Sequence, residues 1–240
     1  MTGLGTLINV GAIVAGGILG LLCGSIFNER MQETVRKACG ISTMFIGISG
    51  ALEGMLTVQE GALSSRWGLL VTLSLVFGAI AGEILGIERR LECFGNWLRN
   101  TSGASKDAQF VNGFVTASLT VCVGAMAIIG SIEDGIHGNI SILATKSVLD
   151  FIIVWIMTSS MGRGCIFSAL PVFLLQGGVT LLASFLLPIF TPPALACLSA
   201  VGSILIFCVG LNLVWGGVIR AANLLPAVVI AAVMPMLPEF

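Results

Sequence analysis

Residues 4–26, LGTLINVGAIVAGGILGLLCGSI, carry no charged side chain. As a helix rising 1.5 Å per residue this stretch is about 34 Å long, enough to cross the roughly 30 Å hydrocarbon core of a bilayer. Seven further apolar segments follow at 39–58, 67–87, 111–132, 142–160, 165–187, 195–214 and 221–237. The last is short and holds Pro226 and Pro235. It reads as broken or re-entrant, so seven spans is the alternative to eight. The expectation is an all-α polytopic transmembrane bundle, with residues 1–240 as one integral membrane domain. Because the first apolar run continues to Phe27 without a basic segment ahead of it, it reads as a span and not as a signal peptide.

Composition agrees. The chain is 56% hydrophobic and 10% charged, against roughly 25% charged in a soluble domain. Mean hydropathy is +1.05. A soluble globular protein and a disordered chain are excluded, and a net charge of −1 offers no basic stripe for nucleic acid. The 7 Cys are scattered without a CxxC pair and there is 1 His, so the cysteines read as small buried hydrophobes. Neither a metal site nor a cofactor is expected.

Nine of the 11 Lys and Arg fall in the odd-numbered loops: Arg30, Arg36, Lys37, Arg89, Arg90, Arg99, Lys106, Arg163 and Arg220. By the positive-inside rule those loops face the cytoplasm of a prokaryotic plasma (inner) membrane. Residues 88–110 form the one long cytoplasmic loop. Within it Ile87, Leu91, Phe94 and Leu98 recur at helical spacing between charges, which predicts an interfacial amphipathic helix with Trp97 near the headgroups.

Two glycine-rich strings echo each other, Gly11–Gly20 and Gly78–Gly86, and Gly50–Gly54 is echoed by Gly130–Asp134. This points to a duplicated helical hairpin. Gly16, Gly20 and Gly24 share one helix face, as do Gly78, Gly82 and Gly86, and such stripes let another backbone approach closely. The partner helix can belong to the same chain or to a second copy, as in a homo-oligomer.

Ionisable and amide side chains at membrane depth are costly and mark candidate sites. Asp150 lies furthest from any span end, and Lys146 shares its helix face four residues earlier. Glu53 and Asn9 lie at the outer end, Gln176 mid-span, and Asn212 and Asn223 nearer the cytoplasm. For each a structural role stands beside the binding role: a neutralised pair for Lys146 and Asp150, a wet interface for Glu53, interhelical bonding for the amides. Glu133, Asp134 and His137 read either as part of an outward-facing polar vestibule with Glu53, Asn9, Lys146 and Asp150 or as a wet loop end. Pro171, followed by Gln176-Gly177-Gly178, predicts a broken helix or a simple kink, and Pro226 after Asn223 does so more weakly. Gly47-Ile48-Ser49-Gly50 matches the nucleophile pattern of rhomboid proteases, but no partner base accompanies it. No catalytic residue is assigned.

Several strings occur together in order: Gly113–Leu119, Cys122–Ile128 with Asp134-Gly135, Lys146–Asp150, Pro171-Val172 with Gln176-Gly177, Gly210–Leu213 and Asn223–Ala227. In this set the chain resembles the bacterial domain-of-unknown-function 554 family of multi-spanning membrane proteins, over almost its whole length. The resemblance implies a prokaryotic inner-membrane protein and supplies no catalytic residues. From the residues, the first expectation is a transporter of a small solute or ion, binding at Asp150 and its neighbours. The alternative is a non-transporting scaffold or accessory subunit, and a membrane enzyme comes third.

Overall fold

The computed structural model describes residues 2–24, 28–59, 62–105, 107–122, 124–187 and 190–236. Lys106, Val123, the ends of the first and last apolar segments at 25–26 and 237, and Phe27 lie outside the described residues. The chain forms helices α1 (Leu4–Gly24), α2 (Glu29–Met55), α3 (Gly68–Leu85), α4 (Ile87–Thr101), α5 (Phe110–Cys122), α6 (Ala125–His137), α7 (Ser141–Met161), α8 (Ala169–Leu181), α9 (Ala183–Leu186), α10 (Pro192–Trp215) and α11 (Leu225–Val233). Between α2 and α3 sits a small antiparallel hairpin, β1 (Leu56–Gln59) and β2 (Ala62–Ser65), which the sequence reading did not anticipate.

Among the described residues six helical segments are long and apolar enough to cross a membrane, and α5 with α6 makes a seventh if the bent pair counts as one span. Ala221–Val233 is apolar but shorter. The bundle is therefore all-α and polytopic, with the final segment as short as its two prolines suggested. Large hydrophobic side chains point outwards all round it, Ile18, Phe45, Ile84, Phe173 and Leu174 among them. On a soluble monomer such a surface would be an aggregation hazard; facing lipid tails it is at ease.

Local chemistry sets the helix ends. The Asn28 side chain accepts the Met31 N–H at 2.9 Å and starts α2, so Arg30, Arg36 and Lys37 are helical instead of lying in a loop. Thr191 caps α10, whose first residues are Pro192 and Pro193. Pro171 and Pro226 each sit in the first turn of a helix, α8 and α11, behind a 3-10 turn at Arg163–Ser168 and Ala221–Leu224. A missing N–H is harmless there. Neither proline breaks a helix mid-span, and α8 runs on unbroken through Gly177 and Gly178.

The break lies elsewhere. The segment read as a single span at 111–132 is two helices, α5 and α6, bent by 61°. Gly124 makes the turn with φ 156° and ψ 146°, a combination that glycine tolerates.

Glycine faces fasten the helices in pairs. A Cβ on Gly20 would lie 2.5 Å from the Trp155 carbonyl, and one on Gly24 2.9 Å from that of Ser159; Gly16 meets the Phe151 carbonyl. These contacts run in register, so α1 and α7 are parallel. Gly47 and Gly54 press on Ser203 and Ala196 of α10, which makes α2 and α10 antiparallel. Gly78 and Gly82 press on Ala227 and Asn223, so α3 and the α11 region are antiparallel too. Both glycine stripes are thus covered by helices of the same chain. The two echoing strings do the same work against partners running in opposite directions. Gly86 is the exception: a Cβ there would meet nothing within 4 Å, and its φ of 58° turns α3 into α4. It is a turn glycine and not a contact glycine.

The amphipathic helix read in the third loop is α4, which buries Gly95 and Leu98. Phe94 reaches Phe114 edge-on at 5.8 Å, which seats α4 on α5, and Trp97 remains exposed.

Candidate functional site

Four of the polar residues selected by depth meet in the middle of the bundle. Lys146 and Asp150 come from one face of α7, Asn9 from α1 and Gln176 from α8. The Lys146 ammonium donates to both Asp150 carboxylate oxygens at 2.8 Å and to the Val121 carbonyl at 2.9 Å. All three donors of an ammonium are then used. The Val121 carbonyl is available because α5 stops at Cys122, leaving the last-turn carbonyls without intrahelical donors. The break in the fourth span and the ion pair therefore form one unit.

Asn9 completes it. Its Nδ2 donates to Asp150 Oδ2 at 2.9 Å and to Gln176 Oε1 at 3.3 Å. Facing two acceptors, this amide atom must be the nitrogen. Asn9 is 0% exposed, Gln176 1% and Asp150 2%. Two polar atoms of the group have no partner, Asn9 Oδ1 and Gln176 Nε2. A buried network with one free acceptor and one free donor costs free energy until something satisfies them. A small solute carrying both kinds of group, or an ion competing for one half of the Lys146–Asp150 pair, matches that need.

An apolar cavity of about 530 Å³ reaches the same break and is lined by Cys122, Gly124, Leu175, Leu198 and Val228. Among the described residues no group of His, Cys, Asp and Glu is arranged to hold a metal ion. The seven cysteines are all free thiols.

The structure does not bring every selected residue to this place. Glu53 lies on an exposed face of α2, because the face carrying Gly47 and Gly54 is turned to α10. Asn212 and Asn223 sit at the end of the bundle that carries α4. The Asn212 Oδ1 accepts the N–H groups of Val218 and Ile219 at 3.0 and 2.9 Å, and its Nδ2 donates to the Ile219 carbonyl at 2.6 Å. It ties down the turn after α10. Asn223 donates to Glu83 at 2.6 Å and accepts the Glu88 N–H at 2.8 Å, while Arg220 pairs with Glu83. These contacts clasp α3, α4 and the start of the last segment around a polar cavity of about 1010 Å³. Burial pushes the Glu88 carboxyl up from its ordinary value, with Glu92 adding to the effect and Arg220 opposing it.

Of the two readings of Asp134, the wet loop does not hold. The residue is fully buried, and its Oδ2 accepts the Gly5 N–H at 3.0 Å. The signal was Gly138, which ends α6 in the left-handed conformation and so keeps Asp134 inside the helix's last turn. Ser49, from the protease-like string, is exposed on α2 while Gly47 beside it packs inward.

Comparison with known proteins places these observations in a family. The family described as Protein of unknown function (DUF554) matches residues 4–236, and the chain belongs to it. The uncharacterized protein YqgA of Escherichia coli is 28% identical over 237 residues, 97% of this chain and 95% of its own length. The uncharacterized membrane protein YdfK of Bacillus subtilis is 29% identical over 230 residues, 96% of this chain and 94% of its own. No solved structure matches the chain.

Proposed function

We propose that this member of the DUF554 family transports a small polar solute or an ion across the prokaryotic plasma (inner) membrane, with its odd-numbered loops in the cytoplasm. The observation that carries the reading is the buried Lys146–Asp150 pair bonded to the freed Val121 carbonyl at a helix break. A purely structural pair needs no broken helix. It also has no use for an unpartnered acceptor and donor, Asn9 Oδ1 and Gln176 Nε2, beside it. Broken helices that present backbone carbonyls at mid-membrane are the usual way transporters hold solutes. In this mechanism the solute takes up the two free amide atoms and draws Lys146 or Asp150 away from its partner. The α5–α6 bend then changes angle. The α1–α7 pair, zipped along its glycines, moves as one body against the α2–α10 pair.

The test uses detergent-purified protein and proteoliposomes. Organic acids, amino acids, sugars and cations are screened for a rise in Tm, and flux of each hit is then measured. A hit whose Tm rise and flux both vanish in Asp150→Asn, with helicity retained, is the expected result. Flux unchanged in Asp150→Asn would remove the site. The scaffold alternative draws on the exposed face of α4 around Trp97. It predicts that Asp150→Asn is silent and that changes on that face release a partner.

A further inference from the structure

Next to the ion pair, towards the end of the bundle where α1 begins, lies a second layer of buried oxygens. Asp134 Oδ1, Thr6 Oγ1, Thr180 Oγ1 and Asn9 Oδ1 all lack partners. Asp134 and Asn9 are 0% exposed, Thr6 2% and Thr180 7%. Three contacts make neighbours of the segments that carry them. The Gly5 N–H, next to Thr6, binds Asp134 Oδ2. A Cβ on Gly135, next to Asp134, would lie 2.5 Å from the Thr180 carbonyl. Thr180 stands one turn along α8 from Gln176, whose Oε1 meets Asn9, and Asn9 stands one turn along α1 from Gly5. Asn9 is therefore the link between this layer and the Lys146–Asp150 pair.

The chemistry of the layer is specific. It consists of hard oxygens carrying a single carboxylate charge, and such donors suit hard cations over transition metals. No Lys, Arg or His among the described residues bonds to Asp134. Lys146 is engaged by Asp150, and His137 faces Glu133 at 3.2 Å nearer the surface. The Gly5 N–H in the first turn of α1 serves one oxygen of Asp134, but among the described residues no cationic side chain pairs with the carboxylate and its other oxygen is bare. One bound monovalent cation balances it while giving each of the four orphaned oxygens a partner. A Cβ on Gly5 would lie 3.1 Å from Asp134 Oδ2 and one on Gly135 2.5 Å from the Thr180 carbonyl, and such close packing favours a small ion over a large one.

We propose that Asp134, Thr6, Thr180 and Asn9 bind one sodium ion. The binding stands without the transport reading. Its consequence for coupling rests on that reading: a cation on one lone pair of Asn9 Oδ1 leaves the other for the solute and polarises the amide, which strengthens the Nδ2 hydrogen bond to Asp150, so ion and solute meet on one side chain.

The test measures Tm of the purified protein at neutral pH in sodium, potassium or choline chloride. Sodium should give a saturable rise of about 3 °C or more, absent in choline and far weaker in potassium. Asp134→Asn should abolish the rise. Thr180→Val and Thr6→Val delete hydroxyls that bond to nothing in the protein, so they should leave Tm in choline unchanged or higher. Each should raise the half-saturating sodium concentration about tenfold. Equal Tm in all three salts overturns the proposal, as does an unchanged half-saturation in both threonine variants. A rise produced by acidification and not by sodium overturns it too, and assigns Asp134 to a proton. Sodium-dependent Tm without flux of any solute would keep this site and retire the transport reading; flux indifferent to sodium would retire the coupling.

Discussion

Lys146 and Asp150 hold each other at 2.8 Å, and both are buried. Removing one partner of such a pair strands the other charge, which typically costs 3–5 kcal/mol, whereas replacing both with apolar groups is often nearly neutral. Lys146→Met alone should therefore destabilise by about 3–5 kcal/mol. The double variant Lys146→Met with Asp150→Leu should recover most of that loss and remain inactive. Unfolding of the set in mixed micelles measures the recovery; an additive double variant would mean that the pair is not coupled. Glu88 offers a second test at this scale. Its carboxyl is pushed up by burial, so the folded form favours the protonated state. The stabilisation is full below the ordinary glutamate range and is lost as pH rises through the raised value. At neutral pH Glu88→Gln should stabilise the protein and flatten its pH profile, and a Tm series over pH reads both. The four-residue spacing of Lys146 and Asp150 made their pairing legible in the sequence. Nothing in one sequence says that Asn9 and Gln176, 167 positions apart, share a hydrogen bond. That knowledge belongs to the way α1, α7 and α8 converge.

Among the elements, glycine position decides what a substitution does. Gly82 faces the Asn223 carbonyl so closely that a methyl group has no room, and the Asn223 N–H is bonded to the Arg220 carbonyl at 3.0 Å, which holds the turn in place. Gly82→Ala should cost about 1–3 kcal/mol and loosen the clasp of Glu83, Arg220 and Asn223. Gly11→Ala, with nothing within 4 Å, should be neutral or stabilise by up to about 1 kcal/mol. Gly86→Ala should cost about 1 kcal/mol through its positive φ alone. Thermal unfolding of the three variants separates close contact, open space and backbone strain; equal effects would dissolve the distinction. The spacing of the stripes was legible because four-residue repeats are a property of one helix. The error at Gly86 arose because spacing does not reveal where a helix stops. The prolines misled for a related reason: Pro171 and Pro226 read as breaks within a helix, yet a first turn accommodates them. The real break carries only Gly124, and a lone glycine in an apolar run gives no warning.

For the whole molecule, the glycine contacts show that the stripes are covered from within the chain. Because α1 lies on α7, and α3 on the α11 region, these stripes are interior surfaces of one chain. Crowding substitutions there should therefore damage the fold itself before any complex. The same architecture makes the orientation testable. The described basic residues of the odd-numbered loops gather at the end that carries α4, and His137, at the end of α6, marks the opposite end. Cys93 is the one exposed cysteine among the described residues, and it lies at the α4 end. In intact bacterial cells producing the protein, a membrane-impermeant maleimide should leave Cys93 unlabelled until the plasma membrane is opened. In a Cys93→Ser background, His137→Cys should label at once. The reverse pattern would turn the molecule over. It would put the orphaned oxygens around Asp134 nearest the cytoplasm, where sodium is scarce, so that the proposed cation site would lie towards the side that offers it least sodium.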